Sequence, residues 1–152
     1  MRDLLRDVED LCSGESSENR LYERAVDCIY EAAEHYDWVG IYRVEGDDLV
    51  LTGWRGPQPT EHSRIPLTQG VCGFAASEGK TVVVDDVNAD PRYLACFPNT
   101  KSEIVVPIST GGEVVAEIDI DSDRPAAFGD GDRNILEQVA GRLGSKVAEL
   151  RA

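Results

Sequence analysis

The stretch SEIVVPISTGGEVVAEIDIDS, residues 102–122, has the clearest β-hairpin pattern in the sequence. Its two halves, residues 102–109 and 113–121, are rich in β-branched residues, and the Thr-Gly-Gly at 110–112 between them predicts a β-hairpin. Isoleucine alternates with aspartate over residues 118–121. Because neighbouring side chains on a strand point to opposite faces, the hairpin is expected to bury one face and to carry carboxyl groups together on the other.

The rest of the chain predicts helices and further strands around that hairpin. Apolar residues recur at helical spacing in three segments. These are residues 1–12, 19–35 and 130–150. Shorter patterns predict a hairpin over 38–52, strands at 63–66 and 81–84, a short helix at 73–78 and a long irregular loop over 85–101. This order predicts an α+β domain with a central, mostly antiparallel sheet of about six strands and helices packed on it.

The length and composition fit one domain spanning residues 1–152, with an N-terminal helix over 1–12 and a core over 19–150. A chain of 152 residues with 41% hydrophobic content can bury a single core. No apolar run approaches the roughly 20 residues that cross a bilayer, so we expect a cytoplasmic protein without a membrane partner. Four cysteines in such a chain are expected to be reduced rather than paired.

The formal net charge of −14 argues against nucleic acid as a partner, since phosphate binding needs a basic patch. Only three of the fifteen cationic residues are lysines and the acids are spread along the chain, which suggests a halophilic protein with an acidic, solvated surface. The apolar stripes of the first and last helices are interpreted as core faces, with pairing across a homodimer as the alternative.

The chemistry suggested by the sequence is that of a thiol among acids. Cys72 lies in a glycine-rich turn ahead of the short helix, and Cys96 lies in the long loop. A thiol can attack an oxidised sulfur, and a carboxylic acid can protonate the departing oxygen. Crowding of Asp119 and Asp121 with Glu103 is expected to raise at least one of their pKa values, because like charges resist joint ionisation.

The chain resembles the free methionine-(R)-sulfoxide reductases, which are single GAF-domain enzymes. Six segments carry the resemblance, in chain order. They are DWVGIY at 37–42, GVCG at 70–73, Asp86-Val87, Ala95-Cys96, SEIVVP at 102–107 and IDIDS at 118–122. The resemblance implies a GAF-like fold, a nucleophilic Cys96 that takes the sulfoxide oxygen as a sulfenic acid, a second cysteine that forms a disulfide with it, and thioredoxin as reductant.

The resemblance also implies the substrate pocket and the catalytic set. Trp38, Tyr42, Glu103, Asp119 and Asp121 match the residues that bind the substrate, and Glu103 and Asp121 are expected to take part in catalysis with the cysteines. Trp38 is expected to stack on the sulfinyl methyl group. The remaining carboxylates would bind the amino group of free methionine sulfoxide, which selects the free amino acid over a peptide.

The sequence departs from the family pattern at two positions. His62 precedes Ser63-Arg64-Ile65-Pro66 where many members carry the resolving cysteine, and Phe97 follows Cys96 where an aspartate is common. Cys72 therefore becomes the candidate resolving thiol, with an external thiol as the alternative. The spacing of His62, Cys72 and Cys96 lacks the close ligand pairs of structural zinc sites, so no metal or cofactor is expected. A non-catalytic ligand-binding or redox-sensing GAF module is the alternative function.

Overall fold

Two hairpins and two short strands form one six-stranded antiparallel sheet with the strand order β3-β2-β1-β6-β5-β4. The structure is a computed structural model that describes residues 3–94 and 97–152, and the predicted nucleophile Cys96 lies outside the described residues. The strands and helices have the following bounds. They are α1 Leu4–Gly14, α2 Glu18–Ala32, β1 Trp38–Glu45, β2 Asp48–Arg55, β3 Arg64–Pro66, α3 Gly70–Glu78, β4 Val82–Val84, a 3-10 turn Val87–Ala89, β5 Ser102–Thr110, β6 Glu113–Ser122 and α4 Asp130–Arg151. The predicted α+β architecture is confirmed.

The predicted hairpin is formed by β5 and β6, of which β6 is one of the two central strands of this sheet. Its turn falls on Gly111 and Gly112, whose φ angles of 57° and 81° lie in the left-handed region that favours glycine. The register places Glu103 opposite Asp121 and continues to Ile108, after which it shifts once before the turn. Because β6 also pairs with β1, each acid on β6 has neighbours on two strands.

One face of the sheet is covered by α1, α2 and α4, which bury the main apolar core. Ile104 of β5 and Ile118 and Ile120 of β6 are fully buried in it. The apolar stripes of α1 and α4 pack within this core, as expected from their interpretation as core faces. None of the helices in the described residues is long and apolar enough to span a membrane.

The opposite face is covered by α3 and by loops, and α3 corrects one prediction. The sequence suggests a helix from residue 73 with Cys72 in the turn before it, but α3 begins at Gly70 and Cys72 lies in its first turn. Gly73 is a packing residue rather than a turn residue, because a Cβ there would lie 2.8 Å from the Leu67 carbonyl oxygen. Cys72 is therefore held by a helix against the sheet.

Candidate active site

A row of four buried carboxyl groups lies on the sheet face beneath α3. Glu103 comes from β5, and Glu117, Asp119 and Asp121 come from alternate positions of β6. Their residues are 5%, 0%, 3% and 2% exposed, respectively. No lysine or arginine in the described part of the chain is buried with them. Buried carboxyl groups without a buried cation favour the protonated form or a cationic ligand.

Glu117 is a member of this row that the sequence analysis missed. Neither of its carboxyl oxygens has a hydrogen-bond partner in the described residues, although it lies close enough to Cys72 to influence the pKa of that thiol. The signal that could have found it is the same alternation that identified Asp119 and Asp121, because Glu117 is two residues earlier on the same strand.

The Cys72 thiol points into the acidic row. Its Sγ donates to Asp119 Oδ2 at 3.4 Å, and the residue is 5% exposed. Burial raises the pKa of Cys72 well above its ordinary 9.0, and the charges of Asp119, Glu117 and Glu103 raise it further. A position in the first turn of a helix usually favours a thiolate, but here burial and the carboxyl groups outweigh that effect.

The carboxyl groups themselves hold protons tightly. Burial raises the pKa values of Glu117 and Asp121 well above their ordinary range, and the charge of Asp119 raises both further. Burial also raises the pKa of Asp119, while hydrogen bonds with Glu103 and Cys72 act in the opposite direction. All three carboxyl groups therefore hold a proton more tightly than exposed acids do, although hydrogen bonds at Asp119 oppose that effect.

Trp38 lies at the end of the row, directly opposite Asp121 on the neighbouring strand. The residue is 3% exposed, and its indole N–H has no acceptor in the described residues. The ring packs over Gly40, where any side chain would collide with it, and meets Phe97 at a centroid distance of 5.7 Å. A small cavity of about 40 Å³ is lined by Trp38, Phe97 and Asp121, so a ligand acceptor there would meet a buried donor.

Tyr42 lies on the same face of β1 as Trp38 and is fully buried. Its hydroxyl donates to the main-chain carbonyl oxygen of His62 at 2.7 Å. The contact ties the segment before β3 to the centre of the sheet. A direct contact of Tyr42 with substrate stays a prediction. Its hydrogen bond to the main chain at His62 gives it a structural role.

The space over the row is small in this state. The cavity bounded by Cys72, Glu103 and Asp119 measures about 10 Å³, which is room for about one water molecule. Ligand sites for small organic molecules usually enclose about 300 Å³ or more. Leu94 lines this cavity and Phe97 lines the one beside Trp38, so both belong to the surface that a larger ligand would displace.

Comparison with known proteins places this arrangement in a family. Residues 20–147 match the GAF domain. The chain belongs to the GAF-domain family. The free methionine-R-sulfoxide reductase of Escherichia coli is 33% identical over 141 residues, covering 93% of this chain and 84% of that protein. This GAF domain is thus homologous, over most of its length, to a reductase with a known substrate class.

Solved structures agree with that relationship. The free methionine-R-sulfoxide reductase of Neisseria meningitidis, in complex with its substrate, superposes with a TM-score of 0.91 at 35% identity and covers 99% of this chain and 89% of that one. The type II enzyme of Thermoplasma acidophilum has a TM-score of 0.82 at 39% identity, covering 93% and 97%. The predicted GAF fold and the predicted family are confirmed.

The structure of this GAF domain brings together most of the residues predicted for the site. Glu103, Asp119, Asp121 and Cys72 meet in one buried cluster, with Trp38 at its edge. Their catalytic and binding roles stay predictions, as does the role of Cys96, which lies outside the described residues. The arrangement can donate protons, hold a cation and present a thiol, all in a site closed to bulk water.

Proposed function

We propose that this protein reduces free L-methionine-(R)-sulfoxide to methionine, with Cys96 as the nucleophile. The observation that carries the proposal is the buried row of carboxyl groups beside the Cys72 thiol and Trp38, in a chain homologous to reductases of that substrate. Such a row has no evident structural benefit, because four buried acids with no buried lysine or arginine in the described part of the chain are costly to fold.

The first step transfers the sulfoxide oxygen to the protein. The Cys96 thiol attacks the sulfinyl sulfur and forms an S–S bond while the sulfoxide oxygen is protonated. The S–O and S–S bonds then break as the hydroxyl transfers to the Cys96 sulfur, which leaves methionine and a Cys96 sulfenic acid. The substrate sulfur gains two electrons and the cysteine sulfur loses them. Asp121 donates a proton to the departing oxygen, since its pKa is raised, and the proton lost by the thiol restores it.

The row and Trp38 also provide the binding groups. The substrate ammonium supplies a cation to the acidic cluster, which contains no buried lysine or arginine among residues 3–94 and 97–152. Asp119 and Glu103 line the cavity and are the acids best placed to accept the ammonium. The indole N–H of Trp38 donates to an acceptor of the substrate, because it has no acceptor in the described residues. Tyr42 holds the neighbouring segment in place through His62.

Cys72 is the proposed resolving thiol. Its sulfur attacks the sulfenic sulfur of Cys96, Asp119 accepts the Cys72 proton along their existing hydrogen bond, and hydroxide leaves as water after taking a proton from a protonated carboxyl group. A dithiol reductant of the thioredoxin type then reduces the disulfide. Mass spectrometry after one turnover separates this route from direct reduction by an external thiol: a Cys72–Cys96 bridge supports Cys72, and its absence supports the external thiol.

The activity test is incubation of the reduced protein with racemic free methionine sulfoxide and dithiothreitol, with each epimer followed separately. We expect methionine to appear at the expense of the R epimer, and Cys96→Ser to abolish its release. Cys28→Ser, a change on α2 away from the row, is the matched control and should retain activity. No methionine release by the wild type would refute the enzyme proposal, and equal loss of both epimers would refute its stereospecificity.

A non-catalytic GAF module is the second candidate, and His62 favours it because it occupies the position of the usual resolving cysteine. Such a module would bind methionine sulfoxide, or a similar small zwitterion, without converting it. Calorimetric binding in the Cys96→Ser variant together with absent turnover in the wild type would support the module. Turnover by the wild type would exclude it.

A further inference from the structure

Cys72, Glu103 and Asp119 have the geometry of a metal-ion site. One sulfur and two carboxylate oxygens from these residues lie within 4.8 Å of one another. With Zn–S of about 2.3 Å and Zn–O of about 2.0–2.2 Å, a tetrahedral ion separates its sulfur and oxygen ligands by about 3.5 Å. The observed distance from Cys72 Sγ to Asp119 Oδ2 is 3.4 Å, so this pair already has the required spacing.

Three features of this position are compatible with a bound metal ion: the size of the cavity, an oxygen atom without a hydrogen-bond partner, and the negative charge nearby. The cavity that these three residues line measures about 10 Å³, enough for a single ion or water molecule. Asp119 is 97% buried, yet its Oδ1 atom has no hydrogen-bond partner in the described residues. Glu117, a further buried carboxyl group near Cys72, adds negative charge next to this position.

We propose that Cys72, Glu103 and Asp119 bind a divalent transition-metal ion of the Zn²⁺ class. A thiolate ligand selects Zn²⁺ or Co²⁺ over Mg²⁺ and Ca²⁺, which prefer sites made of oxygen alone. Binding displaces the Cys72 proton and replaces it with the metal. The ion occupies the floor of the pocket, so metal and organic ligand exclude each other, and the Cys72 thiol is masked while metal is bound. This site does not depend on whether the chain is a reductase.

The test is a titration of the reduced, metal-free protein with Co²⁺, followed by the thiolate-to-cobalt charge-transfer absorption. We expect one equivalent to bind, Zn²⁺ to displace it and millimolar Mg²⁺ to leave it in place. Cys72→Ser should abolish the charge-transfer band. Asp119→Asn keeps the thiol, so the band should remain. The dissociation constant for cobalt should rise at least tenfold. Far-UV circular dichroism verifies that both variants fold.

Two matched controls sharpen the result. Cys28→Ser removes a thiol on the other side of the sheet, and Asp123→Asn removes an acid that follows β6; both should leave cobalt affinity unchanged. A band that persists in Cys72→Ser, or one that is lost only in Cys96→Ser, would overturn the proposal. So would the absence of stoichiometric uptake by the wild type. None of these outcomes depends on methionine sulfoxide turnover.

Discussion

Replacing Glu117 by glutamine should change how stability depends on pH. The pKa of this fully buried carboxyl group lies well above its ordinary 4.5, mainly because of burial. Above pH 4.5 the unfolded chain loses this proton while the folded chain keeps it, so the folded state binds one more proton. The free energy of unfolding therefore falls as pH rises, by about 1.4 kcal/mol per pH unit for this one group, until the raised pKa is reached.

Glutamine does not titrate, so Glu117→Gln removes that slope. At low pH the variant should be about as stable as the wild type, and its relative stability should then grow with pH, by up to about 3 kcal/mol between pH 5 and pH 7. Urea unfolding followed by circular dichroism at pH 5, 6 and 7 measures the difference. Glu78→Gln makes the same change at an exposed position of α3 and should follow the wild-type curve. Parallel curves for wild type and Glu117→Gln would refute the argument.

Three further changes test other parts of the site. Gly40→Ala should displace the Trp38 ring and lower kcat/KM for methionine sulfoxide about tenfold to a hundredfold. The far-UV circular dichroism should stay unchanged, which verifies the fold. Alkylation of Cys72 by iodoacetamide at pH 7 should be at least about tenfold slower in the folded protein than in urea, as read by peptide mass spectrometry, because its pKa is raised. Tyr42→Phe should cost about 1–2 kcal/mol in urea unfolding through the lost bond to His62, and an unchanged midpoint would contradict that.

The sequence was sufficient for the strands of the sheet and for three of the four members of the acidic row. Alternation over residues 118–121 and the Gly-Gly turn at 111–112 predict the hairpin, and pairing of β5 with β6 then brings Glu103 opposite Asp121. Glu117 was missed because a single glutamate in the middle of a strand, in a chain of net charge −14, is readily interpreted as one more surface acid. The alternation along β6 places Glu117 on the same face as Asp119 and Asp121, but the burial of that part of the face depends on tertiary packing.

The placement of Cys72 could not be predicted for a related reason. Glycines at positions 70 and 73 suggest a mobile turn, since glycine is the residue that turns favour. Gly73 is required instead by the close approach of α3 to the Leu67 carbonyl oxygen. Local sequence does not distinguish a glycine that permits a turn from one that permits close packing. The first assignment gives a Cys72 thiol that can move, and the second gives one that is held in place.

Strand β6 carries two alternating sets of residues that face opposite sides of the sheet. Ile118 and Ile120 hold the helices, while Asp119 and Asp121 face the pocket. Substitutions at the pocket positions can alter ligand chemistry while the helix-facing core stays intact, so binding properties can diverge among descendants without the fold being rebuilt. A shift of register by one residue would bring acids into the core and isoleucines into the pocket, so insertions within this strand should be far less tolerated than substitutions.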